Sequence, residues 1–299
     1  MRAIDVRHLG NERIICCFQQ GDVLVDPGPQ SCEATLLAEL GDWRPRALLL
    51  THIHFDHAGA AGALVRRWPD LEVYVHERGA PHLADPTRLV ASATRLYGDR
   101  FALLWGDVVP VPQENLRVLA GSETVLGEFA VAYTPGHASH HVCYHHRPTG
   151  TAFVGDMAGV RIPPSEVTIA PTPPPDIDVE AWHASLDAIA AWNPSALALA
   201  HFGRVEEVSE QIAATRAALD EQAELARALG EEEFIARMRG RMAGAGDQQT
   251  AASFEQASPP AQLWAGLQRY WHKRSGAPGS RPREGVASAG PIERIPPIG

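Results

Sequence analysis

The chain has 299 residues, and its hydrophobic share of 45% is enough for a sizeable core in one large or two small domains. The formal net charge is −10 and no long lysine or arginine run occurs, so composition disfavours nucleic acid and anionic membranes as partners. The N-terminus lacks the apolar core of a signal peptide, and no apolar run approaches a membrane span. The four cysteines fit no disulfide framework, so we expect reduced, buried thiols in a cytoplasmic protein.

Strands and helices alternate along the chain up to about residue 200. The first patterns predict a hairpin over 13–25, a helix ending near Gly41, a strand over 46–51, a helix over 58–68, a strand over 71–75 and a helix over 86–97. Short strands are then predicted over 116–119, 123–126, 129–133, 141–145 and 151–154, followed by a helix over 178–192 and a strand over 196–200. Helix-rich and strand-rich stretches therefore occur twice, which fits an α+β protein built as an αββα sandwich.

Residues 205–275 differ from the preceding part because helical patterns dominate them. We predict a catalytic domain over 1–204 and a helical C-terminal extension over 205–275 that packs on it. An exposed face of this extension would allow two chains to pair as a homodimer. Residues 276–299 are rich in glycine, proline, serine and arginine, which predicts a flexible tail.

The most informative motif runs from Thr51 to His57, with the sequence Thr-His-Ile-His-Phe-Asp-His. Imidazole and carboxylate groups suit zinc and related first-row ions. His52 and His54 point to the same side of an extended backbone, so they can converge on one ion. Asp56 and His57 follow after the chain turns and can bind a second ion close by. The motif therefore predicts a metal site at the end of a buried strand.

Further motifs follow in a matching order. They are Val25-Asp26-Pro27-Gly28, Thr134-Pro135-Gly136-His137, Gly155-Asp156 at a strand end, and His201 after the last strand. The whole set resembles the metallo-β-lactamase-fold metallohydrolases over roughly residues 5 to 215, and it is similar to the motif set of the hydroxyacylglutathione hydrolases without identifying a subfamily. This resemblance implies a four-layer αββα sandwich with two facing mixed sheets, outer helices and metal ions at one edge.

The resemblance also implies a ligand set for two ions. His52, His54 and His137 would hold the first ion, Asp56, His57 and His201 the second, and Asp156 would bridge both. We expect two divalent ions, taken as Zn²⁺ with iron or manganese as alternatives. The expected enzyme is a dinuclear metal-dependent hydrolase whose metal-bound hydroxide attacks the carbonyl of a small-molecule thioester, ester or lactone. Asp56 is also the predicted catalytic residue, because it can accept a proton from the attacking water.

Three residues are predicted to support the ligands. Asp26 would accept the second ring N–H of a ligand histidine, although its Asp-Pro-Gly sequence also suits a simple turn. Thr51 and Thr134 would orient the ligand loops through their hydroxyl groups, with packing at a strand end as the alternative.

Four residues are candidates for substrate contacts. His140 would be a substrate contact or a proton shuttle, against a structural or surface role, and the roles of His141, His145 and His146 remain open. Arg161 lies where relatives often place a substrate-binding residue, against an ordinary exposed arginine. Tyr270 and Lys273 are candidates because C-terminal helices cover the active-site mouth in several branches of the family. Their alternatives are core packing and a solvated helix face.

Two other functions use similar motifs. A phosphodiesterase or RNA-processing enzyme would use the same two metal ions but would need a basic rim around the site. A mononuclear-iron oxidoreductase that resembles the persulfide dioxygenases would hold one iron by two histidines and one aspartate. The true zinc β-lactamases lack the bridging carboxylate supplied here by Asp156, and quorum-quenching lactonases have a tyrosine where this chain has Gly159.

Overall fold

The computed structural model describes residues 1–275, and the tail predicted over 276–299 lies outside them. The described part contains two facing six-stranded sheets with helices on their outer sides, which confirms the predicted αββα sandwich with a helical extension. Within residues 1–275, no helix is both long and apolar enough to cross a membrane.

Both sheets are mixed. The first sheet has the order β1 (Arg2–Asp5), β2 (Cys16–Gln20), β3 (Val23–Val25), β4 (Ala47–Leu49), β5 (Glu72–His76) and β6 (Leu116–Leu119). Strands β3 to β6 are parallel, whereas β1 and β2 pair in antiparallel fashion. The second sheet contains β7 (Thr124–Val125), β8 (Phe129–Tyr133), β9 (Val142–His146), β10 (Thr151–Gly155), β11 (Ala196–Leu199) and β12 (Gly203–Val205), in reverse spatial order. Only β10 and β11 are parallel in it.

The helices cover the outer faces and form the C-terminal extension. Those before residue 200 are α1 (Glu33–Leu40), α2 (Phe55–Ala58), α3 (Ala61–Arg67), α4 (Ala80–Ala84), α5 (Thr87–Tyr97), α6 (Phe101–Trp105) and α7 (Val179–Ala191). The extension contains α8 (Val208–Ala228), α9 (Glu231–Ala243), α10 (Gln248–Ala257) and α11 (Pro260–Arg274). Short 3-10 turns occur at His8–Gly10, Gln30–Cys32, Gly98–Arg100 and Gln113–Asn115.

Three apolar clusters hold these layers together, and the alternation of side chains along each strand produces them. In β4, Ala47 and Leu49 face the other sheet, whereas Leu48 joins the cluster beneath the helices of the first outer layer. The third cluster joins the second sheet to α7 and to the extension, through side chains such as Trp182 and Phe234. The extension therefore shares one core with the second sheet.

Some predicted bounds need correction. The helix predicted over 58–68 is the shorter α3, and the separate helix α2, which was not predicted, precedes it. The first helix of the extension predicted over 205–275 begins at Val208. Val205 instead ends β12, which pairs with β11 and crosses the predicted domain boundary after residue 204. Strands β1 and β12 and helices α4, α6 and α10 were not predicted, because such short elements show little periodicity. Helix α10 begins where the Asp247 carboxylate accepts the Thr250 N–H at 2.8 Å.

Candidate metal centre

The predicted ligands meet at one edge of the sandwich, where strands of both sheets end. His52, His54, Asp56 and His57 follow β4, His137 follows β8, Asp156 follows β10, and His201 follows β11. The sheets are joined at this edge by two backbone bonds of 2.8 Å, from Val142 N–H to the Thr51 carbonyl and from Cys16 N–H to the Ala200 carbonyl. Residues more than 100 positions apart in the chain therefore converge on a rigid base.

The first group consists of His52, His54 and His137, whose ring nitrogens lie within 4.8 Å of one another. His54 Nδ1 is 3.0 Å from His52 Nε2 and 3.1 Å from His137 Nε2. His54 thus presents Nδ1 to the group, whereas its two partners present Nε2. These three nitrogens belong to the residues that the family resemblance assigns to a first ion.

The second group consists of Asp56, His57 and His201, and Asp156 lies between the two groups. Asp56 Oδ2 is 3.6 Å from His57 Nε2 and 3.4 Å from His201 Nε2. Asp156 Oδ1 is 3.2 Å from His57 Nε2 and 3.5 Å from His201 Nε2. Its other oxygen, Oδ2, is 3.3 Å from His137 Nε2 in the first group. One carboxylate therefore faces both groups.

The donor set fits divalent cations. His57 Nε2 and Asp156 Oδ1 are buried and lie 3.2 Å apart, yet neither atom makes a hydrogen bond of regular geometry within residues 1–275. Buried polar atoms without partners are uncommon and call for an unseen ligand. Four imidazole nitrogens at Nε2, one at Nδ1 and two carboxylates also form the nitrogen and oxygen donor set that first-row cations prefer.

Protonation in the first group suits ligation. Burial, followed by the surrounding imidazoles, holds the pKa of His52 well below its usual range. Burial likewise lowers the pKa of His54 to about 4 and also lowers the pKa of His137. Neutral imidazole is the form that binds a metal ion, so the first group is in its binding state at neutral pH.

Charge in the second group is complementary. Burial by itself lowers the pKa of His57, but the carboxylates of Asp156 and Asp56 raise it well above its usual range. Burial by itself raises the pKa of Asp156, but the imidazoles, led by His57, hold it well below its usual range. The site stabilises positive charge between its carboxylates, which is also what a cation requires.

Asp26 supports the centre from behind, at the end of β3. Its Oδ1 accepts the Thr51 backbone N–H at 2.8 Å, and its Oδ2 accepts the Thr51 hydroxyl at 2.6 Å. The same Oδ2 is 3.1 Å from His57 Nδ1, and the Thr51 hydroxyl is 3.1 Å from His52 Nδ1. With Nδ1–H donating in both rings, the Nε2 atoms of His52 and His57 face the centre.

Backbone carbonyls orient two further ligands. His137 Nδ1 donates to the Pro171 carbonyl at 2.8 Å, and His201 Nδ1 donates to the Ile14 carbonyl at 2.6 Å. The sequence did not predict either partner, because every residue has a backbone carbonyl and residue type does not indicate which one contacts a ligand. The arrangement again leaves Nε2 of each ring available.

Segment 170–172, which carries the Pro171 carbonyl, is itself held by the C-terminal extension. The buried Gln222 side chain of α8 accepts the Ala170 N–H at 2.9 Å and donates to the Ala170 carbonyl at 2.8 Å. The Thr172 hydroxyl donates to the Leu263 carbonyl of α11 at 3.1 Å. A Cβ at Gly266 would lie 2.0 Å from the Thr172 carbonyl, so glycine permits this close packing. The extension therefore supports the ligand His137 indirectly, through segment 170–172.

Thr134 contacts no predicted ligand directly. Its hydroxyl is 2.9 Å from His141 Nδ1 and 3.3 Å from Cys143 Sγ. The His141 ring stacks behind His52 with centroids 5.0 Å apart. Any effect of Thr134 on the centre therefore passes through His141, and its role as an orienting residue stays a prediction.

The two groups have different neighbours on their open sides. His140 lies beside His54, with ring centroids 5.5 Å apart, and its Nδ1 accepts the Ile53 N–H at 3.4 Å. Phe55 lies beside Asp56 and packs edge-on against Phe101 at 5.4 Å. Sequence reasoning proposed His140 as a substrate contact but did not anticipate the aromatic residues.

The other substrate candidates make contacts outside the cluster. Arg161 lies 3.4 Å from the Gln211 side-chain oxygen of α8, and its backbone N–H donates to the His201 carbonyl at 2.7 Å. The Tyr270 hydroxyl donates to Glu180 at 2.9 Å, and Lys273 Nζ donates to the Pro175 carbonyl at 3.1 Å. The structure does not bring these three side chains to the ligands, and their contact with substrate stays a prediction.

Comparison with known proteins agrees with this site. The family model of the metallo-beta-lactamase superfamily matches residues 17–201, which is more than half of the chain and contains every predicted ligand. The chain therefore belongs to the metallo-beta-lactamase superfamily.

Among curated proteins, the hydroxyacylglutathione hydrolase of Enterobacter sp. (strain 638) is 33% identical over 134 residues, which cover 45% of this chain and 41% of that protein. The hydroxyacylglutathione hydrolase of Salmonella paratyphi B (strain ATCC BAA-1250 / SPB7) is 35% identical over 135 residues, with the same coverage of 45% and 41%. The chain thus spans less than half the length of these curated relatives.

Among solved structures, the archaeal metallo-beta-lactamase superfamily protein ST1585 from Sulfolobus tokodaii superposes with a TM-score of 0.60 at 24% identity, covering 74% of this chain and 85% of that one. The structure of TTHA1623 in a di-iron-bound form superposes with a TM-score of 0.50 at 27% identity, covering 65% of this chain and 89% of that one. The likeness to ST1585 supports the fold.

Proposed function

We propose that this protein is a metal-dependent hydrolase that binds two divalent ions and cleaves a small-molecule thioester, ester or lactone. The observation that carries the proposal is the position of Asp156, with Oδ2 3.3 Å from His137 in one ligand group and Oδ1 3.2 Å from His57 in the other. A carboxylate in this position suits a bridge between two ions.

The ligand residues form one set for each ion. His52, His54 and His137 would hold one ion, and Asp56, His57 and His201 the other. When bound, such a pair of ions supplies Lewis acidity and lowers the pKa of a water molecule towards neutrality. Thr51 and Asp26 fix the rings of His52 and His57, so that little reorganisation is needed when substrate arrives.

Asp56 is the proposed proton acceptor, because it is the one carboxylate of the set with an appreciably exposed side chain, at 23% against 5% for Asp156. It can therefore receive a proton from a water molecule and release it to solvent. His140, whose Nδ1 accepts the Ile53 N–H, keeps Nε2–H as a donor for a substrate oxygen next to His54.

The acyl class of substrate rests on similarity. The relatives named hydroxyacylglutathione hydrolase act, by that name, on a thioester, and they share a third or more of their residues with this chain in the matched part. The aromatic side chains beside Asp56 suit an acyl group better than a phosphodiester, which would require a basic rim.

The test compares initial rates on S-lactoylglutathione and on an activated phosphodiester, bis(p-nitrophenyl) phosphate. We expect thioester turnover in the wild type, its loss in His54→Ala, and its retention in His183→Ala, a matched change in a histidine that pairs with Asp220 outside the centre. Turnover of the phosphodiester alone would contradict the acyl class and favour the phosphodiesterase.

Metal analysis tests the two-ion centre separately from the substrate. We expect two ions per chain, with zinc as the proposed metal, after purification without chelators. Two irons per chain would support the two-ion centre and would replace zinc by iron as its metal. One tightly held iron together with oxygen consumption would overturn hydrolysis in favour of an oxidoreductase.

A further inference from the structure

Substrate can reach the centre over only two of the predicted ligands. His54 and Asp56 are partly exposed, whereas the other five are buried. His54 adjoins the polar His140, and Asp56 adjoins Phe55 in the chain. The surface next to Asp56 therefore decides which group of a substrate can lie on that side.

The side chains next to Asp56 form an aromatic cluster in which Tyr97 and Trp105 are half-buried and Phe55 and Phe101 are buried. Phe55 lies 5.4 Å from Phe101 and 6.1 Å from Trp105, and the ring of Tyr97 packs edge-on against Trp105 at 5.5 Å. We call these four residues the aromatic wall. Three of its members come from α5 and α6, and the fourth, Phe55, immediately precedes Asp56 in α2.

Phe55 links the wall to the centre, because it precedes Asp56 in α2 and its ring packs against Phe101 and Trp105. The same two helices also carry exposed apolar side chains, with Leu96 on α5 60% exposed and Leu103 on α6 61% exposed. Helix α5 has no fully buried residue.

We propose that the aromatic wall binds the apolar acyl group of the substrate, so that the preferred substrates are thioesters or esters of medium-chain or aromatic acids. This inference rests on the proposed acyl hydrolysis. Aromatic rings with few polar neighbours typically line sites for apolar groups. A short hydroxyacyl group would cover little of this surface and would place a hydroxyl against it.

Binding of product-like acids tests the wall without relying on turnover. In isothermal titration of the metal-loaded protein with acetate, butyrate, hexanoate and octanoate, the carboxylate is constant and only the chain changes. We expect affinity to rise by about twofold to fourfold per methylene. Trp105→Ala should weaken the binding of octanoate by at least tenfold, so that affinity depends less on chain length.

The matched control is Trp192→Ala. Trp192 stacks on His145 at 5.4 Å much as Trp105 stacks on His8 at 5.5 Å, and both indoles are half-buried. This variant should keep the wild-type chain-length dependence, and thermal melting would establish that both variants fold. If Trp105→Ala does not fold, Tyr97→Ser provides the same test with a smaller deletion.

A parallel series of acyl thioesters of N-acetylcysteamine separates the two proposals. Chain-length-dependent binding without thioester turnover would support the wall and overturn the hydrolase. Turnover whose kcat/KM and affinity are both flat from acetyl to octanoyl would keep the hydrolase and overturn the wall. Equal loss of chain-length dependence in the Trp105 and Trp192 variants would also overturn it.

Discussion

The two ligand groups differ in how the rest of the chain supports them and in what borders them. The first group depends on segment 170–172, which the C-terminal extension holds through Gln222, and its open side adjoins His140. The second group depends on the N-terminal Ile14 carbonyl, and its open side adjoins the aromatic wall. Two residues are shared: Asp156 faces both groups, and Asp26 supports His57 directly and His52 through Thr51.

This difference teaches that one centre can be assembled from two halves whose supports are partly separate. The first group is formed by imidazoles alone and the second by imidazoles with a carboxylate, so their affinities for a cation need not be equal. Substitutions in a shared residue should affect both halves, whereas substitutions in a support of one half should affect mainly that half.

The largest effect is expected for Asp156→Asn, because this change removes charge from both halves at once. Activity should fall by about 10³-fold or more, and bound metal should fall below one ion per chain. Metal content after dialysis is the measurement, with Asp220→Asn as a control that removes an exposed carboxylate elsewhere. Retention of two tight ions would refute the bridging role.

A smaller effect is expected for Asp26→Asn. Asp26 has a φ of 49°, a left-handed conformation that asparagine also tolerates, so the backbone should persist. The change weakens acceptance from His57 in the second group and from Thr51, which orients His52 in the first, so metal affinity should fall by about 10-fold to 100-fold at both groups. Chelator competition measures this loss, and Asp22→Asn, on the same hairpin, should show none of it.

The sequence predicts from local pattern only those ligands that lie close together in the chain. His52, His54, Asp56 and His57 fall within one loop, and a strand period plus a turn is enough to place them together. The distant ligands were placed by family resemblance, because no local pattern relates His137 or His201 to that loop. Asp26 was also placed by the resemblance, through its Val-Asp-Pro-Gly motif, and its carboxylate is a suitable partner for an imidazole.

The supports that the sequence did not predict are tertiary. The carbonyls of Pro171 and Ile14 become partners only when loops from different sheets meet, and Gln222 looks like any polar residue of an amphipathic helix. The aromatic wall was missed for a related reason. Tyr97 and Trp105 lie on different short helices, so neither periodicity nor spacing predicts that their rings meet beside Asp56.

Gln222→Met should affect mainly the first ligand group, because Gln222 holds the segment that orients His137. Methionine keeps the volume but leaves the Ala170 N–H and carbonyl without partners, so the segment that orients His137 loosens. We expect about 10-fold weaker binding of one ion and little change in the other. Asn115→Leu is the matched control, since Asn115 also clamps backbone carbonyls, at Pro69 and Leu71, away from the centre. Equal weakening of both ions would indicate general destabilisation.

The smallest effect is expected for Tyr97→Phe, which keeps the ring of the aromatic wall and removes the hydroxyl that accepts from Gln262 of α11 at 3.3 Å. Loss of this bond should lower the free energy of unfolding by about 1 kcal/mol. It should also speed amide exchange in α5 and leave the chain-length dependence of binding intact. Tyr270→Phe removes a hydroxyl that bonds Glu180 instead, so it should cost similar stability without changing exchange in α5. If both variants loosened α5 equally, the extension would act on that helix through overall stability, and the direct contact between α11 and α5 would have no separate role.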